Sequence, residues 1–260
     1  MKIGFIGAGN MGSALAKAAA HNAEIYIYDI DESKAATLAK SVSGKLSTVS
    51  EMTSLCDYLF IAVKPNFVKT VAEEITSSSP NDALTIVSMA AGVSLSSLSE
   101  MMPSLPIIRI MPNTPVAVGK GVVLTAGNAL VKEEKLLEFK SVMAKAGDIE
   151  IIDESLIDAG TALSGCSPAF VYMFIDALAE GASESGLSKS DALKYAAKTL
   201  IGASCLLLES EKSPEELREA VCSKGGSTIE GVKSLFADGF PEKVKAAVLA
   251  SYRRTLELGK

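Results

Sequence analysis

Apolar residues fall along this chain in two different patterns. Up to about residue 152 they come in short runs: Ile3 to Ile6, Ile25 to Tyr28, Tyr58 to Val63, Leu84 to Val87, Ile107 to Met111, Val122 to Thr125 and Ile149 to Ile152. Such runs, apolar on both sides rather than alternating, predict strands of a sheet covered on both faces. Helix-favouring segments lie between them: an Ala-rich stretch from Ser13 to Ala18, Glu32 to Ser41 with Asp31 as N-cap, and a helix with Pro65 in its first turn. This βα repetition predicts a doubly wound, mostly parallel sheet, whose ligands bind beyond the carboxyl ends of the strands.

After Asp153 the strand pattern stops. Ser167 to Gly186, Lys189 to Glu209, Pro214 to Cys222 and Thr228 to the chain end all predict helices. Ser188 and Ser213 are the expected N-caps, Pro214 suits a first helical position and Gly186 a stop. Phe170-Val171-Tyr172-Met173-Phe174-Ile175 is apolar all round, and such a helix requires burial on all sides. About 100 residues of such helices exceed what one small bundle would hide, so an intertwined homodimer is expected, the alternative being a compact monomer in which the bundle folds onto the first domain. The fold class is therefore α/β: an N-terminal Rossmann-type domain over residues 1–152, followed by an all-α, substrate-binding and dimerisation domain over residues 153–260.

The first apolar run leads into Gly7-Ala8-Gly9-Asn10-Met11-Gly12. In a strand–turn–helix context, Gly-x-Gly-x-x-Gly is a dinucleotide fingerprint. Gly7 permits the tight turn, Gly9 lets a pyrophosphate approach the backbone, and Gly12 lets helix and strand pack closely. The free N–H groups of the helix start complete an anion site. Asp29 ends the second strand near the position expected of an acid that binds the adenosine ribose. The carboxyl-end loops at Asp29, Ala62 to Pro65, Ser88 to Gly92 and Met111 to Thr114 are expected to converge with this turn.

Composition narrows the options. With 48% hydrophobic residues the chain can bury a sizeable core, and a net charge of −6 without a Lys/Arg cluster argues against a nucleic-acid partner. The sequence opens directly on a strand, so no leader peptide is expected. No apolar run reaches the length of a membrane span, so no membrane partner is expected either. Cys56, Cys166, Cys205 and Cys222 have neither metal-ligand nor disulfide-framework spacing, which predicts free thiols in a reducing cytoplasm and no metal site. The single histidine, His21, falls just after the first helix, so mechanisms that need a histidine base elsewhere are excluded.

A second glycine-rich stretch, Ser223-Lys224-Gly225-Gly226-Ser227-Thr228-Ile229, opens another predicted helix. Backbone N–H groups and hydroxyls there can take an anion such as a carboxylate, although the same residues also suit a plain loop with an N-cap. With this stretch, the whole chain resembles the pyrroline-5-carboxylate reductase family. The resemblance is carried by Gly7 to Gly12, Ala62-Val63-Lys64-Pro65, Ser88-Met89-Ala90-Ala91-Gly92, Arg109 to Pro115, Leu163 to Phe170 and Val221 to Ile229. The chain departs from the family pattern at Ser167, Cys222, Ser227 and Lys224, the last replacing a usual proline.

The resemblance implies a function: hydride transfer from NAD(P)H to the C=N bond of 1-pyrroline-5-carboxylate, giving L-proline. It implies that Gly7, Ala8, Gly9, Asn10, Met11, Gly12, Asp29, Ala62, Val63, Lys64, Pro65, Ala90, Ala91 and Asn113 hold the cofactor. The imino-acid substrate would lie on Ser223, Gly226, Ser227 and Thr228, with the Thr228 hydroxyl reaching the ring nitrogen as the catalytic contact. Glu211 matches an acidic position near the substrate amine, or else is a solvated surface carboxylate. Homodimers, assembling further into rings, are implied as well.

The chemistry agrees with the missing histidine. A protonated imine already carries its proton, so the protein need only bind, orient and exclude water. Asp29 and its neighbours bring three acids and no arginine between residues 29 and 33, which favours NADH over a 2′-phosphorylated cofactor. A 3-hydroxy-acid dehydrogenase would need a lysine on the helix after Gly165-Cys166-Ser167, and Pro168 to Asp176 contains none. A dinucleotide-binding protein without turnover is the remaining alternative, separated by any detectable imine reduction.

Overall fold

The structure, a computed structural model, describes residues 1–258. Its chain contacts define two compact units, Met1–Cys166 together with the chain end from Ser251, and Ser167–Ala250.

The first unit is built on eight strands: β1 (Lys2–Ile6), β2 (Glu24–Tyr28), β3 (Lys45–Leu46), β4 (Tyr58–Ile61), β5 (Thr85–Ser88), β6 (Ile107–Pro112), β7 (Gly121–Gly127) and β8 (Gly147–Ile151). They form one sheet in the order β3-β2-β1-β4-β5-β6-β7-β8. All neighbours pair in parallel except β6 and β7. That exception has a simple cause: the connection over 113–120 is too short for the crossover that a parallel pair needs. The order reverses between β1 and β4, which is where a doubly wound sheet opens a crevice.

Helices cover both faces. On one side α1 (Asn10–Ala19), α2 (Glu32–Val42) and α6 (Glu133–Val142) bury Leu15, Leu38 and Phe139 against Ile3, Phe5, Phe60 and Ile108. On the other α3 (Val49–Leu55), α4 (Val68–Ser77) and α5 (Leu95–Met101) bury Met52, Ile75 and Leu98 against Ile6, Leu59, Ile61 and Ile107. Alternate residues of the inner strands, such as Tyr58 and Phe60 against Leu59 and Ile61 on β4, feed the two clusters, as the pleat requires. Asp31 caps α2, its carboxylate accepting from the N–H groups of Ser33 and Lys34. Pro65 is expected in the first turn of the helix after β4; that first turn is 3₁₀, over Pro65–Phe67, and α4 follows from Val68.

After β8 the chain is helical. α7 (Ile157–Gly160) runs into a π turn over Thr161–Gly165 and then α8 (Ser167–Glu184). α9 (Lys189–Glu209), α10 (Pro214–Ala220), α11 (Ser227–Ala237) and α12 (Phe240–Leu258) follow. Ser188 and Ser213 cap α9 and α10, and Gly186 has a φ of 103° beyond the end of α8. The long terminal helix expected from Thr228 onward is broken after Ala237, where Gly239 takes a φ of 69°.

In the second unit α8 packs along α9 through Ala179, Ala192 and Ala196, and Phe174 meets Phe240 at 5.7 Å between ring centroids. Most larger apolar residues there remain exposed, among them Met173 at 72% and Ile201 at 64%. One expectation is corrected here. The helical run Glu154–Glu184 contains an 18-residue window of mean hydropathy 1.4, long and apolar enough to cross a membrane by length and composition. Its isolated Thr, Ser and Gly residues interrupt the runs of apolar letters without lowering the mean below that level. Only 11% of that window is buried within this chain.

Candidate active site

The loops after β1, β2, β4, β5 and β6 leave the same edge of the sheet because those strands are parallel. The residues expected to hold a dinucleotide therefore share that edge: Gly7 to Gly12, Asp29, Ala62 to Pro65, Ala90, Ala91 and Asn113. The three motif glycines have three separate physical reasons. Gly7 has φ +110°, and a Cβ on it would lie 2.5 Å from the Ala62 carbonyl oxygen, across the β1–β4 crevice. Gly12 faces the Gly7 carbonyl oxygen, which a Cβ would approach to 2.5 Å, so the start of α1 sits directly on the turn. Gly9 has open space where its Cβ would be, the backbone approach that a pyrophosphate requires. Gly9 is the N-cap of α1 and provides no side chain, leaving the N–H groups of the first turn for an anion. These residues fit a dinucleotide.

Asp29 does more than end β2. Its Oδ2 accepts from the Ala8 N–H at 2.6 Å and its Oδ1 from the Asp31 N–H at 2.8 Å. The Gly7 N–H donates to the Tyr28 carbonyl at 2.7 Å. The acid thus braces the glycine turn against β2, and each of its oxygens keeps a second lone pair for a ribose hydroxyl. Asp31 is turned to α2, where bonds from the Ser33 hydroxyl and from Lys34 hold its carboxyl down at about 2. Lys34, on the first turn of α2, pairs with Asp31 at 3.1 Å. Tyr28, Asp29, Ile30, Glu32, Ser47 and Thr48 line a hollow of about 450 Å³ here. Ile30 is 86% exposed, an apolar platform beside the acid that no sequence motif marks. A hollow of about 510 Å³ lies where β7 ends, lined by Leu95, Asn128 and Asp153 among others, and no motif residue reaches it.

Lys64 and Pro65 are exposed at the end of β4; Ala90 is buried and Ala91 exposed after β5. Asn113, like Asp29, is engaged at both ends of its side chain: its amide donates to the Ser164 carbonyl and accepts from the Val122 N–H. Arg109, on β6 just before it, is 4% exposed and pairs with Glu154 at 3.0 Å and Asp158 at 3.1 Å. This buried ion network is absent from the sequence reading, although an arginine inside an apolar strand is a visible signal for one.

The second glycine stretch lies in the other unit, between α10 and α11. Gly225 has φ +75°, a conformation that favours glycine, while a Cβ on Gly226 would meet the Ser223 Oγ at 2.4 Å, a contact that rotation of the serine side chain relieves. Gly226 is the N-cap of α11 and makes no side-chain cap, so the first-turn N–H groups of the helix are uncapped. Ser223, Ser227 and Thr228 are exposed around them. Such uncapped N–H groups, with hydroxyls beside them, are able to take an anion. Glu211 is exposed in the turn before α10, and among the described residues it has no ion-pair partner.

Comparison with known proteins decides the family. Residues 154–258 match the family model described as pyrroline-5-carboxylate reductase dimerisation, and residues 2–92 match one described as NADP oxidoreductase, coenzyme F420-dependent. The pyrroline-5-carboxylate reductase of Escherichia coli is 37% identical over 263 residues, covering 98% of this chain and 96% of its own. The chain belongs to the pyrroline-5-carboxylate reductase family. Solved structures of two other members agree. The Streptococcus pyogenes enzyme superposes with a TM-score of 0.88 at 30% identity, over 99% of this chain and 98% of its own. The Plasmodium falciparum enzyme, solved with NADP bound, gives 0.89 at 28% identity over 100% and 98%. As a family member the chain is an NAD(P)H-dependent oxidoreductase with a dimerisation domain.

Proposed function

We propose that the family reaction, reduction of 1-pyrroline-5-carboxylate to L-proline, runs in this chain on the two glycine loops described above. The observation that carries this reading is their complementary construction. One offers an open backbone approach at Gly9, braced by Asp29; the other presents the uncapped first turn of α11 with Ser223 and Thr228 beside it. When bound, the reduced nicotinamide supplies the hydride. Gly7 to Gly12, Asp29, Ala62 to Pro65, Ala90 and Ala91 hold the cofactor. The N–H groups of Gly226, Ser227 and Thr228 take the substrate carboxylate. The Thr228 hydroxyl bonds the ring nitrogen and orients the imine without serving as a strong acid, because the protonated imine needs no further proton before reduction. Glu211 favours that protonated form as a nearby carboxylate. In this reading, residues 1–152 carry the cofactor and residues 153–260 the substrate and the dimer contact.

The finer assignments follow the same reasoning. Asp29 and Glu32 face the hollow beside β2, and Lys34 is engaged by Asp31, so NADH is favoured over NADPH. The exposed apolar faces of α8 and α9 are covered by a second copy of the chain, not by lipid; the two helices also carry charges, Asp176 and Glu180 on α8 pairing with Lys189 at the start of α9. Further association gives rings of dimers. The four free thiols suit a reducing cytoplasm.

The test is imine-dependent oxidation of NADH and NADPH, followed in parallel by absorbance. NADH is expected to give the higher kcat/KM; a strong NADPH preference would remove the weight placed on Asp29. Thr228→Ala is expected to lower kcat by about one to two orders of magnitude, the span of a lost transition-state hydrogen bond of roughly 1.5–3 kcal/mol. Unchanged kinetics in that variant would take Thr228 out of the mechanism.

A further inference from the structure

Asn113 follows β6 and is 8% exposed. Its Nδ2 donates to the Ser164 carbonyl at 2.9 Å, and its Oδ1 accepts from the Val122 N–H at 2.9 Å. A carbonyl on one side and an N–H on the other fix the orientation of the amide. Ser164 lies in the π turn Thr161–Gly165, where the Cys166 N–H bonds the Thr161 carbonyl at 3.2 Å. In a regular α-helix the Ser164 carbonyl would be served by the N–H four residues on. That residue is Pro168, which has no N–H and whose ring crowds the carbonyl four residues back. The side chain of Asn113 supplies the donor that Pro168 lacks.

Other contacts hold the same run. Arg109, one helical turn's worth of sequence earlier on β6, grips Glu154 and Asp158 just before the π turn. Within the run, the Thr161 and Ser164 hydroxyls donate back to the Ile157 and Gly160 carbonyls at 2.6 and 2.9 Å, bonds that loosen regular helical geometry. Gly160 rests so closely on Leu124 that a Cβ would come within 2.5 Å of its Cδ1. The segment from Glu154 to Ser164 is thus tied to β6, its following loop and β7, and its last tie is Asn113. Single π turns in helices gather at functional sites, and this one is fastened to a loop that leaves the dinucleotide edge.

We propose that Asn113 is a positioning residue that holds the π turn in place of the Pro168 N–H, and that its side chain does not contact the nicotinamide. The inference rests on the reading of that edge as the dinucleotide site, and departs from the direct contact that the family resemblance implies for Asn113.

A double-mutant cycle on the full chain tests it, with Asn113→Ala, Pro168→Ala and the two combined. Pro168→Ala returns an N–H to the helix, so it should sit close to wild type and restore most of what Asn113→Ala loses. Asn113→Ala alone should lower kcat about tenfold to a hundredfold, the range for a buried carbonyl left without its donor, while the dissociation constant for NADH, read by cofactor fluorescence, stays near wild type. Asn113→Asp keeps an acceptor for Val122 but loses the donor, and should fall with Asn113→Ala. A large rise in the NADH dissociation constant with no recovery in the double variant would overturn the proposal and restore direct contact. Wild-type behaviour of Asn113→Asp would overturn it too. If Asn113→Ala does not accumulate folded, the cycle is read in soluble yield and Tm, where Pro168→Ala must again restore it. Absence of imine reduction by the wild-type chain would defeat the activity reading, leaving the Tm cycle to decide the role of Asn113.

Discussion

The two halves of this chain use apolar residues in opposite ways. In the β/α half Phe5, Tyr58, Phe60 and Phe139 have one per cent exposure or less, closed between sheet and helices. In the helical half the buried residues are the alanines of the α8–α9 seam, while Tyr172, Met173, Ile201 and Leu208 stand exposed. The first half completes its core within one chain; the second presents a surface that a dimerisation domain closes with another. The difference teaches that hydrophobicity alone does not mark a core. The length of each apolar run and what can reach it decide whether burial is intramolecular. A fully apolar helix such as Phe170 to Ile175 has more sides than its own unit has neighbours for.

Truncation inside the closed core gives the largest effect. Phe60 stacks on Phe5 at 4.4 Å between centroids and lies 6.1 Å from Phe139, with no exposed surface. Phe60→Ala should destabilise the protein by about 3–5 kcal/mol, the usual range for a buried phenylalanine. Denaturant unfolding measures it, and cofactor affinity should fall with it, since β4 carries the Ala62 to Pro65 loop. A loss below about 1 kcal/mol would mean that the first half is less closed than its burial indicates.

The same contrast governs what the sequence makes legible. The strands of the buried sheet are legible because parallel strands covered on both faces must be continuously apolar, as Tyr58 to Ile61 are. Asp31, Ser188 and Ser213 are legible as caps because a side-chain oxygen at a helix start has one evident task. Less is visible where the signal is short or non-local. β3 is two exposed residues, Lys45 and Leu46, with no period to read. α3 and α5 span barely two turns each, although Thr48 and Glu51 form a capping box that announces the first. The π turn cannot be read from hydrophobic spacing at all, since its tie is non-local: Asn113 reaches it from the loop after β6. At the glycine turn the sequence carries almost everything, because Gly7, Gly9 and Gly12 each answer a local steric demand. Asp29 was legible only in part: spacing marks it as a ligand for ribose, while its bond to the Ala8 N–H appears only when β2 is paired with β1.

A charge placed on the exposed face of α8 sharpens the comparison further, with a smaller effect on the folded protomer and a specific one on assembly. Met173 is 72% exposed in the single chain, so Met173→Glu should leave the protomer's own packing intact. If a second copy covers that face, the carboxylate is buried there without a partner of its own, because Lys189, the cation near Asp176 one turn on, is already engaged by Asp176. Self-association should weaken by about a hundredfold or more, roughly 2.7 kcal/mol, seen as a shift to lower mass in sedimentation equilibrium on dilution. The β/α half should still bind NADH. Leu137→Lys is the matched control: Leu137 is also exposed, at 54%, but lies on α6 in the half that closes its own core. It should leave the mass unchanged. Equal behaviour of the two variants would erase the distinction between the halves, for it would show that exposure in the single chain carries the same meaning in both.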